Sequence, residues 1–445
     1  MTVTVRFAPS PTGFLHVGNA RTALQNQLLV LKEGGRFILR VDDTDLERSE
    51  KRFEEAIEAD LAWLGFRVDD KVKQSDRFDR YDAAAEKLKA DGRLYPCYET
   101  EDELDRKRKI QRAQGQPPVY DRAALKLTDT EKKKLEAEGR QPHWRFKLTH
   151  EHVAWTDLVR GPQSIDTASV SDPILIRGDG SYLYTLPSVV DDIEMAITHV
   201  VRGEDHVTNS GAQIEIFRAL GAEPPTFAHT PLLVGADGDK LSKRLGSLAL
   251  QDFRERGIEP MALCSLLAKI GTSDPVEARS DLAALAEEFG FDKIGRAPAR
   301  FDEADLLRLN AALVHELDFD AVKDRLAVAG VGGGADFWDA ARANVQTVEE
   351  AADLWAIVEG PVTPVIADKD FAAAAAALVP DGPLGPESWK TFVGAVKEKT
   401  GAKGKGLFMP LRQALTGLDH GPEMDKLFVL IGAEKAKKRL SGETA

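Results

Sequence analysis

The chain has few cysteines, few aromatic residues and no long apolar segment. Only two cysteines, Cys97 and Cys264, occur in its 445 residues, so no disulfide framework is predicted and a reducing, cytoplasmic compartment is expected. No apolar run approaches the roughly 20 residues that a membrane-spanning helix needs. The first residues also lack the charged, apolar and small-residue segments of a signal peptide. We therefore predict a cytoplasmic protein without a membrane partner.

Basic residues are also fewer than acidic residues. The chain has 59 Lys and Arg residues against 73 Asp and Glu residues, which gives a formal net charge of -14. Such a total does not suggest nucleic-acid binding, so an RNA partner would require basic side chains gathered on one face. The length is too great for one hydrophobic core and predicts about two to four domains.

A turn rich in proline and glycine lies close to the start of the chain. Residues 3–7 alternate apolar and polar side chains, which predicts a first strand, and residues 19–31 have the pattern of a helix that ends at Gly34. His16 and Gly18 lie between these two elements, at the N-terminus of the helix. Backbone N–H groups and the positive end of the helix dipole favour a phosphate there, and a glycine lets a nucleotide approach the backbone.

Charged side chains follow two further predicted strands. Residues 36–41 predict a second strand, which runs into Asp42, and the apolar run at residues 196–201 predicts a buried parallel strand that ends at Arg202. Strand, helix and strand in this order open a parallel α/β sheet, in which ligands bind at the carboxyl ends of the strands. We therefore expect Asp42 and Arg202 to face the ligand crevice, where a guanidinium suits a carboxylate.

Four segments in this order resemble the class I aminoacyl-tRNA synthetases in their bacterial glutamyl form. They are His16-Val17-Gly18-Asn19, similar to the HIGH signature; Asp42-Asp43-Thr44-Asp45, similar to a Glu-Asp-Thr-Asp element; Arg202-Gly203-Glu204-Asp205-His206, which the family shares; and Lys240-Leu241-Ser242-Lys243-Arg244, similar to the KMSKS loop. Residues 404–417 also resemble a motif in the anticodon-binding part of these enzymes. The resemblance spans nearly the whole chain.

The resemblance implies a ligase that forms glutamyl-adenylate from L-glutamate and ATP with Mg²⁺, and then transfers the glutamyl group to the 3′ end of tRNA. The catalytic residues that it implies are His16, Lys240 and Lys243. The ATP-binding residues that it implies are Pro9, Gly13, His16, Gly18, Asn19 and Lys243. The glutamate-binding residues that it implies are Arg6, Ala8, Ser10, Asp42, Tyr184, Ser188 and Arg202, with Asp42 in the place of a glutamate in relatives.

The resemblance also implies an α/β Rossmann-like catalytic domain with an inserted α+β acceptor-binding domain, followed by all-α stem-contact and anticodon-binding domains. The catalytic domain is expected at residues 1–93 and 181–238, and the insertion at 94–180. The stem-contact domain with the KMSKS-like loop is expected at 239–310. The anticodon-binding region is expected at 311–445, in two subunits with a boundary near residue 380.

Basic residues in the inserted and C-terminal segments are the expected contacts with tRNA in a monomeric protein. These are Arg106, Lys109, Lys405 and Arg412. Some relatives carry a zinc site in the insertion, and zinc needs about four ligands. Because Cys97 is the one cysteine there and His143, His150 and His152 are remote from it in sequence, we predict no structural zinc.

Three alternatives remain at this stage. A glutaminyl enzyme would need a neutral amide pocket, and its anticodon domain is built of strands, whereas the last third of this chain predicts helices. A truncated paralogue that modifies a tRNA base would be shorter than this chain. A catalytically silent or regulatory tRNA-binding relative would not need His16, Lys240 and Lys243. Which tRNA is charged, that for glutamate, that for glutamine or both, is left open.

Overall fold

The computed structural model of the protein describes residues 2–239 and 248–445. The chain divides into two units, one comprising Met1–Phe253 with Cys264–Asp302 and the other comprising Arg254–Leu263 with Glu303–Ala445. The predicted KMSKS-like loop, with Lys240 and Lys243, lies outside the described residues. The finer domain boundaries expected from the sequence stay predictions.

The elements fall in an alternating order up to residue 302 and are helical beyond it. The strands are β1 (Thr4–Phe7), β2 (Arg36–Val41), β3 (Asp70–Lys73), β4 (Leu94–Cys97), β5 (His143–Phe146), β6 (His152–Asp157), β7 (Gly161–Asp166), β8 (Ile174–Ile176), β9 (His199–Gly203), β10 (Thr226–Thr230), β11 (Leu233–Gly235) and β12 (Ala299–Phe301). The helices that begin before residue 302 are α1 (Val17–Glu33), α2 (Lys51–Trp63), α3 (Phe78–Ala90), α4 (Glu101–Ala113), α5 (Asp129–Ala137), α6 (Thr185–Glu194), α7 (Val207–Ala219), α8 (Leu250–Glu255), α9 (Pro260–Lys269) and α10 (Leu282–Glu288). The later helices are α11 (Glu303–Val314), α12 (Phe319–Val328), α13 (Gly334–Ala341), α14 (Ala351–Glu359), α15 (Lys369–Ala376), α16 (Ser388–Thr400), α17 (Lys405–Thr416), α18 (Met424–Ile431) and α19 (Ala433–Leu440).

Parallel strands form the base of the first unit. β1 pairs with β2 and β2 with β3, while β9 pairs with β10. β9 lies beside β1, because the backbone N–H of Thr198 donates to the carbonyl oxygen of Thr4 at 2.9 Å. All four residues of β1 are buried, as expected for a strand covered on both faces. This arrangement confirms the predicted α/β sheet, and the carboxyl ends of β1, β2 and β9 lie together.

Two boundaries differ from the sequence prediction. α1 begins at Val17 rather than at residue 19, since His16 and Asn19 form a capping box that starts the helix earlier. The strand predicted from residue 196 begins at His199. Ala196 has a φ of 52°, a left-handed conformation that closes the turn after α6 and cannot belong to a strand.

The inserted segment contributes two small sheets. β4, β5 and β8 form an antiparallel sheet, and β6 and β7 form a hairpin. The hairpin reaches the parallel sheet, because the backbone N–H of Leu158 donates to the carbonyl oxygen of Phe227 at 2.9 Å. The insertion thus places the carboxyl end of β6 next to β10, a strand that contributes residues to the site.

The second unit is helical and has one continuous hydrophobic core. Its buried side chains extend from Val314 to Leu440 and include Trp338. Phe392 and Phe428 stack with ring centroids 4.9 Å apart. Residues on both sides of position 380 contribute to this core, and the boundary predicted there stays a prediction. None of the helices in the described ranges is long and apolar enough to cross a membrane.

Candidate active site

A cavity of about 580 Å³ opens at the carboxyl ends of β1, β2 and β9 and at the N-terminus of α1. Ten of the residues predicted from the sequence lie on its wall, namely Arg6, Ala8, Pro9, Ser10, His16, Gly18, Asn19, Asp42, Tyr184 and Arg202. Gly13 and Ser188 are not on the wall, and Lys240 and Lys243 fall outside the described residues. The structure therefore brings most of the predicted ATP-binding and glutamate-binding residues into one cavity.

His16 is the N-cap of α1, and its ring is fixed by the helix that it begins. The ring Nδ1 accepts the backbone N–H of Gly18 at 3.0 Å, and the Asn19 Oδ1 accepts the backbone N–H of His16 at 3.2 Å. Burial lowers the pKa of His16, which keeps the ring neutral. A neutral ring whose Nδ1 accepts a hydrogen bond carries its proton on Nε2, and this N–H has no acceptor among the residues that the structure describes.

Gly18 is needed for a reason that the sequence did not show. A Cβ at this position would lie 2.9 Å from Cε1 and 3.0 Å from Nδ1 of His16. Any larger residue would displace the ring from its capping position. By contrast, a Cβ at Gly13 would meet nothing within 4 Å, and the ATP-binding role implied for Gly13 stays a prediction.

Arg202, at the end of β9, is a buried cation without a carboxylate partner. It is 6% exposed, and its Nε donates to His229 Nε2 at 3.2 Å. Its remaining hydrogen bonds go to the Tyr184 hydroxyl at 3.1 Å, the Ser210 hydroxyl at 2.8 Å and the Gln213 amide oxygen at 2.7 Å. All four partners are neutral, and within the described ranges no carboxylate lies within salt-bridge distance of Arg202. Burial lowers the pKa of Arg202.

The other arginines below the cavity are compensated. Arg40 is fully buried and donates from Nε to Asp42 Oδ1 at 2.7 Å and from Nη2 to Asp42 Oδ2 at 3.2 Å. Asp192 accepts from Arg40 at 2.7 Å and from Arg6 at 3.1 Å. Sequence reasoning missed Arg40 and Asp192, because partners 152 positions apart leave no local pattern.

The Asp42 carboxylate both lines the cavity and holds Arg40. Burial raises the pKa of Asp42 to about 6 against the opposing effect of the Arg40 guanidinium. The carboxylate is therefore ionised at neutral pH, although 7% of the residue is exposed. Ser188 lies behind this pair, with its hydroxyl accepting from Arg40 Nη2 at 3.2 Å. It contacts Arg40 and does not line the cavity, so the structure gives it no direct place beside glutamate.

The residues predicted to contact tRNA are not among those that line this cavity. Arg106 and Lys109 are exposed on α4, which buries none of its side chains. Lys107 and Arg108 form ion pairs with Asp121 and Asp105, whereas no ion pair of Arg106 or Lys109 occurs in the part of the chain that the structure describes. These two side chains therefore offer uncompensated positive charge.

The two predicted contacts in the second unit differ in exposure. Lys405 is exposed at the first position of α17. Arg412, on the same helix, is half-buried and donates to the carbonyl oxygen of Pro422 at 3.0 Å. Phe408, which sequence reasoning missed, lies one turn after Lys405 and is 49% exposed. Lys405 and Phe408 are thus available to a partner, whereas Arg412 is partly engaged in the fold.

A group of possible metal ligands lies in the inserted segment. The structure brings Cys97, Glu99 and His143 together, with ligand atoms within 4.8 Å of one another, although His143 is remote in sequence. The Tyr120 hydroxyl donates to Glu99 Oε1 at 2.8 Å and lies 3.6 Å from Cys97 Sγ. Burial raises the pKa of the Cys97 thiol to about 12, so the thiol stays protonated.

Comparisons with known proteins agree in family along nearly the whole chain. Residues 2–305 match the family described as tRNA synthetases class I (E and Q), catalytic domain, and residues 339–442 match an anticodon binding domain. The Glutamate–tRNA ligase 1 of Maricaulis maris is 61% identical over 442 residues, covering 99% of each chain. The Glutamate–tRNA ligase 2 of Hyphomonas neptunium is 62% identical over 440 residues, covering 98% of this chain and 99% of that one.

A solved structure has the same fold as this chain. A crystal structure of a glutamate tRNA ligase from Elizabethkingia meningosepticum, in complex with its amino acid, superposes with a TM-score of 0.88 at 28% identity. The match covers 99% of this chain and 98% of that one. The architecture inferred from the sequence is therefore shared with a solved structure over its full length.

Proposed function

Since the chain belongs to the class I tRNA synthetases of the glutamyl and glutaminyl branch, we propose that its cavity is the place where glutamate is activated. The protein attaches glutamate to tRNA in an ATP-dependent reaction, as its full-length relatives indicate. A glutaminyl enzyme and a catalytically silent relative are not favoured by those relatives.

The uncompensated charge of Arg202 is the observation that supports this proposal most directly. A buried cation needs an anion or a full set of hydrogen bonds, and the neutral partners of Arg202 leave its positive charge unbalanced. The side-chain carboxylate of glutamate supplies that charge, whereas the amide of glutamine does not. Arg202 thus selects the acid over the amide.

The Asp42 carboxylate suits the amino group of the same substrate. It lines the cavity and is ionised at neutral pH, so a substrate ammonium gains a charge-assisted contact. Its shorter side chain, compared with the glutamate of relatives, leaves room for a bridging water, which is nearly as favourable enthalpically as a direct bond. Arg6 also lines the cavity, where Asp192 accepts from its Nε at 3.1 Å, and by resemblance it orients the substrate.

The chemical step requires stabilisation of negative charge on phosphate. The α-carboxylate of glutamate attacks the α-phosphate of ATP, pyrophosphate leaves, and charge develops on the phosphate oxygens. The Nε2–H of His16 and the positive end of the α1 dipole are fixed there and stabilise this charge. By resemblance, Lys240 and Lys243 add positive charge, and Mg²⁺ accompanies ATP as part of the substrate.

The tRNA partner is expected to contact exposed basic side chains that form no ion pair within the described ranges. Arg106 and Lys109 on α4, with Lys405 on α17, provide such charge within an acidic chain. Release of counterions from these clusters favours RNA binding. We propose a cytoplasmic monomer, and charging assays with purified tRNAs for glutamate and for glutamine would establish which are substrates.

We propose that the cluster of Cys97, Glu99 and His143 holds no structural zinc. The Tyr120 hydroxyl already bonds to Glu99 at 2.8 Å. A structural zinc site usually has four ligands, and the described residues supply three. Metal analysis of the purified protein tests this proposal, and one equivalent of bound zinc would refute it.

Pyrophosphate exchange tests the proposed role of Arg202. Arg202→Gln is expected to raise the KM for glutamate at least about tenfold. This is the scale of one hydrogen bond to a charged group. The KM for ATP is expected to stay within about twofold of the parent. Arg122→Gln is the matched control, because Arg122 pairs with Asp172 in the inserted segment and does not line the cavity. An unchanged glutamate KM for Arg202→Gln would refute the proposal.

A further inference from the structure

We propose that Asp157 and His229 are positioning residues, which together hold Arg202 in the orientation that recognises the side-chain carboxylate of glutamate. Neither residue lines the cavity, and both are fully buried at the side chain. His229 is the register partner of Arg202 on the neighbouring strand, whereas Asp157 comes from the end of β6 in the inserted segment. The inference rests on the proposed role of Arg202.

The Asp157 carboxylate is held in one orientation by the backbone. Its Oδ1 accepts the backbone N–H groups of Val159 and Arg160, each at 3.0 Å, and that of His229 at 3.1 Å. Its Oδ2 lies 2.5 Å from His229 Nδ1. Burial alone would raise the pKa of Asp157, but the bond with His229 and the backbone N–H groups outweigh it and lower the pKa.

An ionised Asp157 fixes the tautomer of His229. A carboxylate can only accept a hydrogen bond, so His229 Nδ1 carries the ring proton and donates it. Nε2 is then a free acceptor, and it lies 3.2 Å from Arg202 Nε and 3.0 Å from the Ser210 hydroxyl. With the proton on Nε2 instead, two N–H donors would face each other, and the bond to Arg202 would be lost.

This bond determines which edge of the guanidinium reaches the cavity. The Ser210 hydroxyl and the Gln213 amide oxygen take both N–H groups of Nη2, and His229 takes the N–H of Nε. One N–H of Nη1 goes to the Tyr184 hydroxyl, which leaves the other for the substrate. Without the Nε bond the guanidinium can turn away, as a side chain with several rotatable bonds does when it loses a partner.

Asp157→Asn is the variant that separates a tautomer effect from a packing effect. The amide oxygen of Asn is expected to keep the backbone N–H groups of Val159 and Arg160, which leaves the amide nitrogen facing His229 Nδ1. A donor at this place moves the ring proton to Nε2, the effect known from an Asp→Asn change in a catalytic triad. The expected result is a glutamate KM raised about tenfold, with the KM for ATP and kcat at saturating glutamate within about twofold.

A substitution at His229 provides a second test of the inference. The side-chain amide of His229→Gln can rotate to present its oxygen to Arg202, so the glutamate KM is expected to rise less than about threefold. In that background Asp157→Asn should add less than about twofold, because no ring tautomer remains to be reversed. If the two changes multiplied fully, Asp157 would act through packing and the inference would be wrong.

The position of the ring proton is read directly by nitrogen–proton NMR of histidine. The parent is expected to carry the His229 proton on Nδ1 and Asp157→Asn on Nε2. A parent with the proton on Nε2 overturns the inference whether or not the variants fold. Asp172→Asn is the matched control, since Asp172 is a buried aspartate of the same segment that bonds to Tyr95 and Arg122; its glutamate KM should stay at the parental value.

The outcomes also separate this inference from the proposal on which it rests. A raised KM for Arg202→Gln with an unchanged KM for Asp157→Asn overturns the positioning role alone. An unchanged KM for Arg202→Gln overturns the proposed function of Arg202, and the positioning role with it. Raised values for both variants, with the moved ring proton, support both.

Discussion

Asp42→Asn should weaken the binding of glutamate by about tenfold or more. The change keeps the size of the side chain but removes the charge that faces the substrate ammonium. A hydrogen bond to a charged group contributes about 1.5–3 kcal/mol, and about 1.4 kcal/mol corresponds to a factor of ten. Because Asp42 faces the cavity, the loss is expected in the KM for glutamate and not in the KM for ATP.

The same substitution also affects stability, and the structure indicates its scale. Asp42 accepts two N–H groups of Arg40, and removing one partner of a buried ion pair costs about 3–5 kcal/mol when the other charge is left alone. Arg40 keeps its bond to Asp192 at 2.7 Å. We therefore expect a loss below that range, seen as a lowered Tm with folding retained at room temperature.

The assay measures the glutamate dependence of pyrophosphate exchange beside thermal unfolding. Asp192→Asn is the matched control, because Asp192 bonds to both Arg6 and Arg40 but does not line the cavity; it should lower the Tm with a smaller effect on the KM. Asp42→Glu, which restores the residue of relatives, should retain activity. A parental KM for Asp42→Asn would show that the carboxylate holds Arg40 and has no contact with the substrate.

The pH dependence, the affinity for tRNA and the rate of adenylate formation provide three further tests. The KM for glutamate should rise as the pH falls below about 6, because burial raises the pKa of Asp42 to about 6 and protonation removes the charge; a KM that is flat down to pH 5 would contradict this. Charge reversal at Arg106 and Lys109 should weaken tRNA binding and make it less sensitive to salt, with ATP affinity as the unaffected control. Lys243→Ala should slow adenylate formation by roughly 10² or more, the scale of removing one donor to a transition state, while tRNA binding persists; parental turnover would show that the KMSKS-like assignment is wrong.

The elements around the site could be predicted from the sequence because their signals are local. The strand predicted at residues 36–41 has the bounds of β2, since a glycine precedes it and aspartates follow it. The turn between residues 8 and 16 positions His16 as expected. Ala196 shows the limit of such reasoning, because an apolar run conceals a left-handed turn that no neighbouring glycine indicates.

The side chains that support the predicted residues could not be found in this way. Arg40 bonds to Asp192 and Arg202 bonds to His229 across 152 and 27 positions, and such pairs depend on which strands are neighbours. The residues that face the ligand could be predicted because they lie in short motifs. The residues that orient them are buried behind the cavity wall. Their segments have the apolar and polar pattern of any buried strand or helix, so the sequence does not mark them as functional.

The acidic total of the chain, which does not suggest nucleic-acid binding, does not prevent the cavity from binding anions. A net charge of -14 acts over the whole surface, where salt screens it beyond about 8 Å. Inside the cavity, the charge that a ligand meets is determined by the neighbouring side chains. Arg6 and Arg40 are neutralised by Asp42 and Asp192, but Arg202 is not.

A second arginine on the cavity wall has the same property. Arg21 on α1 donates to the carbonyl oxygens of Pro231 at 2.8 Å and Ile270 at 3.1 Å, and no carboxylate pairs with it in the described ranges. Burial lowers the pKa of Arg21 to about 10, so it remains charged at neutral pH. Within the described ranges Arg21 and Arg202 therefore have no carboxylate bound to them, although Asp205 also lies on the wall of the cavity. An acidic chain can bind a carboxylate and a triphosphate because, in the described ranges, its carboxylates pair with other basic side chains and not with these two arginines.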